Sequence, residues 1–200
     1  LYTPPSVRGT VVFPMTGGGV NWGGAAFDPV NQILYANTSQ AIHIVRLLPR
    51  AAVADGFNPP AGHDFGRQQG APFAMTRKGA TSPLGLLCNK PQWGEMVAVG
   101  LKAASILWRS RVGTTEDLAP LGIAFHWGTP LVNGVAITAG GLVFTGAMDA
   151  YLRAFDSRTG QELWQGRLPG PGVPNPMTYL WKGEQDVAIG AGGHSESGNS

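Results

Sequence analysis

The sequence predicts an all-β fold of short antiparallel strands, a partial β-propeller with about three four-stranded blades. Three observations carry this expectation. Glycine and proline are abundant, at 30 and 16 residues, and fall between short apolar runs rather than inside them, as many tight turns require. Hydrophobic residues make up 43% of the chain and charged residues 13%, with six Trp and eight Phe. That is enough apolar surface to offset the entropy of ordering the chain, which disordered chains lack. No long stretch carries the 3.6-residue apolar period of an amphipathic helix.

The elements follow in order. Gly17 to Gly24 leads into a strand at Ala25 to Asp28 and a turn at Pro29-Val30-Asn31-Gln32, and Ile33 to Asn37 and Ala41 to Leu47 read as the next strands. Residues 49 to 75 turn Pro-, Gly- and polar-rich and read as an excursion between blades. Met96 to Trp108 is a weakened copy of Leu152 to Trp164: Ala98 and Ala154 precede their Trp by ten residues, and Leu107 and Leu163 stand directly before it. In the copy, Gly100 and Ala104 replace Asp156 and Gly160, and residues 113 to 128 fill the extra spacing between the two tryptophans. Residues 129 to 168 form the clearest unit. Asn133-Gly134 and Ala139-Gly140-Gly141 read as turns, since Gly and Asn tolerate positive φ. Val135 to Thr138, Leu142 to Thr145, Tyr151 to Phe155 and Glu162 to Leu168 read as its four strands, and Asp156 to Gly160 as a self-capped turn. Four short strands in some forty residues is the repeat of a propeller blade. Four-stranded units are thus expected at about 129 to 168 and 70 to 112, with under ~10% helix. The tail from Met177 to Gly193 adds two short strands.

Composition excludes several classes. Fourteen basic and twelve acidic residues are scattered, giving a net charge of +2 with no basic stripe for nucleic acid. The single cysteine, Cys88, permits no internal disulfide and reads as a buried small hydrophobe. No segment has the ~20 apolar residues that span a bilayer. The chain starts without Met and stops in a Gly/Ser-rich stretch, so residues 1–200 are expected to be the C-terminal portion of one longer propeller domain.

Seven strings stand in one order along the chain: Gly18-Gly19-Val20-Asn21-Trp22-Gly23, Pro83-Leu84-Gly85 with Cys88-Asn89-Lys90-Pro91, Val112 to Asp117, Thr138 to Phe144, Tyr151 to Asp156, Pro176 to Tyr179, and Ala191 to His194. Together they resemble the C-terminal third of PQQ-dependent (quinoprotein) dehydrogenases of the membrane-bound glucose and quinate type. The resemblance implies an eight-bladed propeller whose outer-strand tryptophans, here Trp108 and Trp164, dock neighbouring blades. It implies pyrroloquinoline quinone (PQQ) on the central axis, a Ca²⁺ or Mg²⁺ ion, a sugar or polyol substrate and ubiquinone as electron acceptor. It also implies a location at the periplasmic face of the bacterial inner membrane, through an N-terminal anchor upstream. Asn21 and Trp22 occupy the motif that approaches PQQ. An Asn amide donates to quinone or carboxylate oxygens, and flanking glycines let backbone come close. The family's catalytic base and metal ligands lie in earlier blades, so no catalytic residue is assigned here and the segment alone is expected to be inactive. Two departures stand out: the degenerate turn at Gly100 to Ala104, and a linker at 49 to 82 shorter than in glucose enzymes.

Other candidates have plainer readings. His43, His63, His126 and His194 have no metal-ligand spacing, although His194 in its Gly-rich turn is placed to face the axis. Glu116-Asp117 reads as a solvated inter-blade turn. Gly17 to Gly24 lacks GxGxxG order and a following Lys-Ser/Thr, which rejects a nucleotide loop. Two rivals remain: a quinoprotein alcohol dehydrogenase handing electrons to a cytochrome, and a non-enzymatic propeller scaffold.

Overall fold

The computed structural model describes residues 3–117 and 124–192. Among these residues the regular structure is strand, with one 3-10 turn at Arg50–Ala52. Three four-stranded sheets and one two-stranded hairpin make up the fold, all antiparallel where strands pair in sequence repeats.

The unit expected at 129 to 168 is present. Its strands are β9 (Ala136–Ile137), β10 (Leu142–Gly146), β11 (Tyr151–Asp156) and β12 (Glu162–Arg167), in the order β12-β11-β10-β9. Gly141 takes its turn at φ 81° and Gly160 closes the next at φ 72°. Asp156 caps that turn itself: Oδ1 accepts the N–H groups of Arg158 and Thr159, each at 2.9 Å. These bonds hold its carboxyl below the ordinary carboxylate range. Asn133-Gly134 is not a hairpin turn. Asn133 is buried and its amide is used in tertiary bonding, as described below.

The remaining strands are sorted differently from the sequence reading. β2 (Ala25–Asp28), β3 (Ile33–Ser39), β7 (Gly94–Gly100) and β8 (Ser105–Arg111) form one blade, ordered β2-β3-β7-β8. The unit starting at Gly17 and the Met96-to-Trp108 copy are therefore two halves of a single blade. The segment 70 to 112 is not a unit. β3 pairs not with the next strand in sequence but with β7, with Ser39 opposite Gly94. The intervening chain forms its own sheet: β4 (His43–Pro49), β5 (Asp64–Gly66) and β6 (Phe73–Gly79) join β1 (Thr10–Val12) in the order β1-β4-β6-β5. The segment read as an excursion thus contains β5 and the start of β6. Arg50 tethers its loop through the carbonyls of Gln68 and Ala71 at 2.6 and 3.0 Å. Cys88, expected to be buried, is exposed, because it lies in the loop beside the Thr81–Leu87 bridge rather than in a core. β13 (Met177–Trp181) and β14 (Glu184–Ala188) form the hairpin expected in the tail, turning at Lys182 and Gly183 with positive φ.

The repeat is preserved down to a bulge. β7 and β8 slip register between Ala98 and Val99, and β11 and β12 slip between Ala154 and Phe155. Trp108 stands opposite Ala98, and Trp164 opposite Ala154. The degenerate turn keeps the geometry without the glycine, since Ala104 holds φ 48°, and β8 forms in full.

The two tryptophans differ in role. Trp108 docks on the next blade: its indole N–H donates to the Ser157 carbonyl at 3.0 Å, and its ring lies against Gly160. Trp164 was expected to dock in the same way, but it is 52% exposed. One core packs between the blades around Tyr35, Met96, Val112, Leu131, Val143 and Phe155. A second, around Phe144 and Leu152, faces Val187 and Ile189 of the last hairpin.

The repeat position 104/160 gives a paired prediction. Ala104→Gly should stabilise by about 0.5–1 kcal/mol, because a side chain at positive φ is strained. Gly160→Ala should destabilise by about 2–4 kcal/mol, since a Cβ there would meet the Trp108 ring at 2.5 Å. Denaturant midpoints of the two variants should move in opposite directions; movement in the same direction would contradict the repeat.

Candidate functional site

The connections are sharply unequal at the two ends of the blades. At one end lie only tight turns, around Asn31, Lys102, Gly141, Thr159 and Gly183. At the other end lie the loop 17–24 entering β2, the insertion 40–93, the segments 112–117 and 124–135, the turn 147–150 and the segment 168–176. Long loops on a rigid sheet scaffold are where binding groups gather, so this face is the candidate site.

Close backbone packing holds the face together. A Cβ at Gly23 would lie 2.0 Å from the Gly134 nitrogen, and one at Gly94 would lie 1.8 Å from the Thr129 carbonyl oxygen. Asn175 bridges the first contact. Its Nδ2 donates to Gly23 O at 3.0 Å, and its Oδ1 accepts the Gly134 N–H at 2.6 Å. Behind it, buried Asn37 donates to Thr145 Oγ1 at 2.8 Å and Asn133 O at 3.1 Å, while Asn133 donates to Gly146 O at 3.1 Å and Gly172 O at 3.3 Å. Buried polar groups are stable only when paired, and here the pairing ties the first blade to the second.

Asn21 and Trp22 lie in this loop. The Asn21 Oδ1 accepts the Trp22 N–H at 2.7 Å, a local cap, and its amide packs where a Gly17 Cβ would be. Within the described residues Nδ2 has no acceptor, which leaves a donor available. The Trp22 indole is 63% exposed.

A charge cluster that the sequence reading missed fastens the 112–117 segment. Arg153 is 1% exposed and makes a two-pronged pair with Asp149, itself buried, at 2.9 and 2.5 Å. Asp149 also accepts the Thr114 N–H at 2.8 Å. Glu162 lies 3.5 Å from the Arg153 Nε, and burial pushes its carboxyl up against the opposing pull of Arg153. Glu116 and Asp117 sit on the exposed turn expected for them, and Asp117 pairs with Arg167 at 2.7 Å. An Arg in the middle of an apolar strand, Tyr151 to Asp156, is the one signal that could have flagged the cluster.

A cleft of about 810 Å³ on this face opens between the neck of the insertion and Trp127, and Lys90, Arg111 and Gln92 also line it. Neither Asn21 nor Trp22 lines it. Among the described residues no three His, Cys, Asp or Glu side chains come together. His43 bonds Thr16 Oγ1 at 2.8 Å, His63 is half-buried, His126 is exposed, and His194 lies outside the described residues.

Comparison with known proteins fits this geometry. Residues 1–187 match the PQQ family described as glucose/ethanol/alcohol dehydrogenase, β-propeller domain. The chain is 38% identical to the quinoprotein glucose dehydrogenase of Escherichia coli K12, covering 99% of this chain and 26% of that protein. It is 35% identical to the quinate/shikimate dehydrogenase (quinone) of Acinetobacter baylyi, covering 98% and 26%. The quinohemoprotein alcohol dehydrogenase of Comamonas testosteroni superposes with a TM-score of 0.60 at 21% identity, over 92% of this chain and 24% of that one, a likeness of fold. The chain thus spans about a quarter of the length of the relatives it matches.

Removing the carboxylate beneath the 112–117 segment leaves a buried guanidinium with only the more distant Glu162 carboxylate at 3.5 Å. Asp149→Ala should cost about 3–5 kcal/mol, whereas Asp117→Ala, which loses an exposed pair, should cost under about 1 kcal/mol. Urea unfolding of both variants checks the contrast, and similar costs would rule out the buried pair as the anchor.

Proposed function

The chain belongs to the PQQ-dependent glucose/ethanol/alcohol dehydrogenase family of β-propellers, and from that membership we propose that it is the C-terminal portion of a quinoprotein dehydrogenase. The substrate is a sugar or polyol, and the electrons pass to ubiquinone. The support is the family match over residues 1–187 together with a face that gathers donors, glycines and aromatic surface at one end of the blades.

PQQ is an anionic ortho-quinone with three carboxylates, so its holder must present donors and an aromatic surface. The residues present fit that need. Asn21 offers a free Nδ2, the glycines of the 17–24 loop leave the backbone uncovered, and Trp22 supplies an exposed indole. When bound, PQQ supplies the quinone that takes up a hydride from the substrate carbon. Asn21 would hold it by donating to an oxygen, and the Trp22 indole would offer its ring an aromatic surface. Asn175 keeps the loop seated on the second blade. The described residues do not form a divalent-ion site. The Ca²⁺ or Mg²⁺ ligands, the catalytic base and the membrane anchor at the periplasmic face are assigned to upstream sequence, and the 200-residue segment alone is inactive.

Asn21→Ala in the full-length enzyme should leave the fold intact and weaken PQQ binding by about 1.5–3 kcal/mol, or roughly tenfold to a hundredfold in affinity. Titrating apo-enzyme with PQQ in the presence of Ca²⁺ measures this. Unchanged half-saturation and unchanged saturated turnover would reduce Asn21 to a turn residue.

A further inference from the structure

We propose that the inserted sheet β1-β4-β6-β5 is a docking surface for a lipid bilayer rich in anionic headgroups, so that this chain touches the membrane through its own strands, besides the anchor assigned to upstream sequence. The inference goes beyond the dehydrogenase reading, and the lipid contact itself does not require PQQ.

Charge is the first argument. Residues 1–93 hold seven Lys or Arg and three Asp, whereas residues 94–200 hold seven against nine Asp or Glu. The basic excess therefore sits in the part of the chain that builds the inserted sheet. The two carboxylates of the insertion are already paired, Asp55 with Arg67 at 3.5 Å and Asp64 with Arg77 at 2.9 Å. Exposed Arg8, Arg46 and Lys78 have no carboxylate partner among the described residues. Anionic headgroups supply the missing counter-charge, and each Lys or Arg near such a surface adds to the attraction.

The placement of apolar groups is the second argument. Val11, Ile44 and Lys78 stand side by side across β1, β4 and β6, and Arg46, two residues along β4 from Ile44, shares their side of the sheet. Val11 is 63% exposed, and the flanking Val7 and Phe13 are 47% and 61% exposed. The Arg46 Nε donates to Val7 O at 2.9 Å, which holds that segment against the sheet. At the β5 edge the insertion covers this same side itself, with Phe57 on Phe65 at 4.9 Å. The β1 edge stays open. Apolar side chains set among unpaired cations suit a lipid interface, where the former enter the boundary of the acyl chains and the latter stay hydrated. A protein cover over this edge would have to strip water from Arg46 and Lys78. Position agrees with charge and shape. Arg77 Nη1 donates to Thr16 Oγ1 at 3.0 Å, tying the sheet to the segment that leads into the 17–24 loop. A docked sheet thus sets a lipid surface beside the end of the blades that carries Asn21 and Trp22, where a quinone dissolved in the bilayer can approach.

The test is hydrogen–deuterium exchange of the full-length protein in bilayers of phosphatidylcholine alone and of phosphatidylcholine with about 30% phosphatidylglycerol. On the anionic bilayer, exchange in peptides covering residues 6–13 and 43–49 should slow by about fivefold or more, while the turns at Lys102 and Gly183 stay unchanged. Raising NaCl to about 0.5 M should abolish the slowing by screening. Lys78→Glu and Val11→Ser should each cut it to under about twofold. Both positions are exposed, and either variant keeps the test open if the other misfolds. Equal exchange on the two bilayers overturns the proposal, and so does slowing that both variants retain. Slow exchange of the same peptides in detergent, with no response to lipid, also overturns it, since an upstream part of the chain would then cover the sheet. Absence of PQQ-dependent polyol oxidation in the same preparation would sink the dehydrogenase reading instead, while the exchange difference, which needs no turnover, still decides the lipid contact.

Discussion

The carbonyl oxygen of Ser157 is the point on which the rest of the structure turns. It accepts two side-chain donors from the neighbouring blade, the Tyr35 hydroxyl at 3.1 Å and the Trp108 indole N–H at 3.0 Å. Burial holds the Tyr35 hydroxyl in its protonated, donating form by raising its pKa. The two rings lie 5.9 Å apart over the inter-blade core. Apolar packing between sheets is non-directional and would tolerate a range of angles. Two donors meeting on one backbone oxygen select a single angle.

Once that angle is set, the opposite end of the blades has little freedom. The backbones approach so closely at Gly23 and Gly134, and at Gly94 and Thr129, that no side chain fits between them. The polar groups stranded there must find one another. Asn37, Asn133 and Asn175 do so across the seam, and Asp149 reaches the backbone of Thr114. The loop that carries Asn21 and the segment 112–117 are thereby fixed relative to the blades by the scaffold, as a binding face requires.

Local features were legible in the sequence. The Asp156-to-Gly160 turn, the β10–β11 ladder and the tail hairpin each depend on residues within a few positions, and turn chemistry alone identifies them. The copy relating Trp108 to Trp164 was visible in sequence, and the structure adds a register slip at the same place in both strand pairs. What failed was long-range. Sequence order put β4 beside β3, but the partner of β3 is β7, and period-2 alternation says nothing about which strand a strand will choose. Trp164 was given the role of Trp108 because the two look alike, and among the described residues it is exposed; burial depends on what lies opposite, which no local pattern records. In the site, Asn21 and Trp22 were visible through their motif. Asn133 was read as a turn because Asn-Gly favours turns, and the buried Asp149–Arg153 pair was not singled out.

The insertion between β3 and β7 has a consequence for how the chain assembles. Until β7 emerges, β3 presents an unpaired edge, which is prone to pair with other chains. At about 5–20 residues per second, ribosomal synthesis of the inserted stretch leaves that edge open for seconds. The β4–β6 ladder spans only Pro49 to Phe73 at its closed end and can form in that interval. Its closure brings the neck together, where the Gln40 N–H meets Trp93 O at 2.9 Å. The inserted sheet thus acts as a built-in clasp: it shortens the effective loop that β3 and β7 must close and limits the time for which a nascent blade is exposed to aggregation.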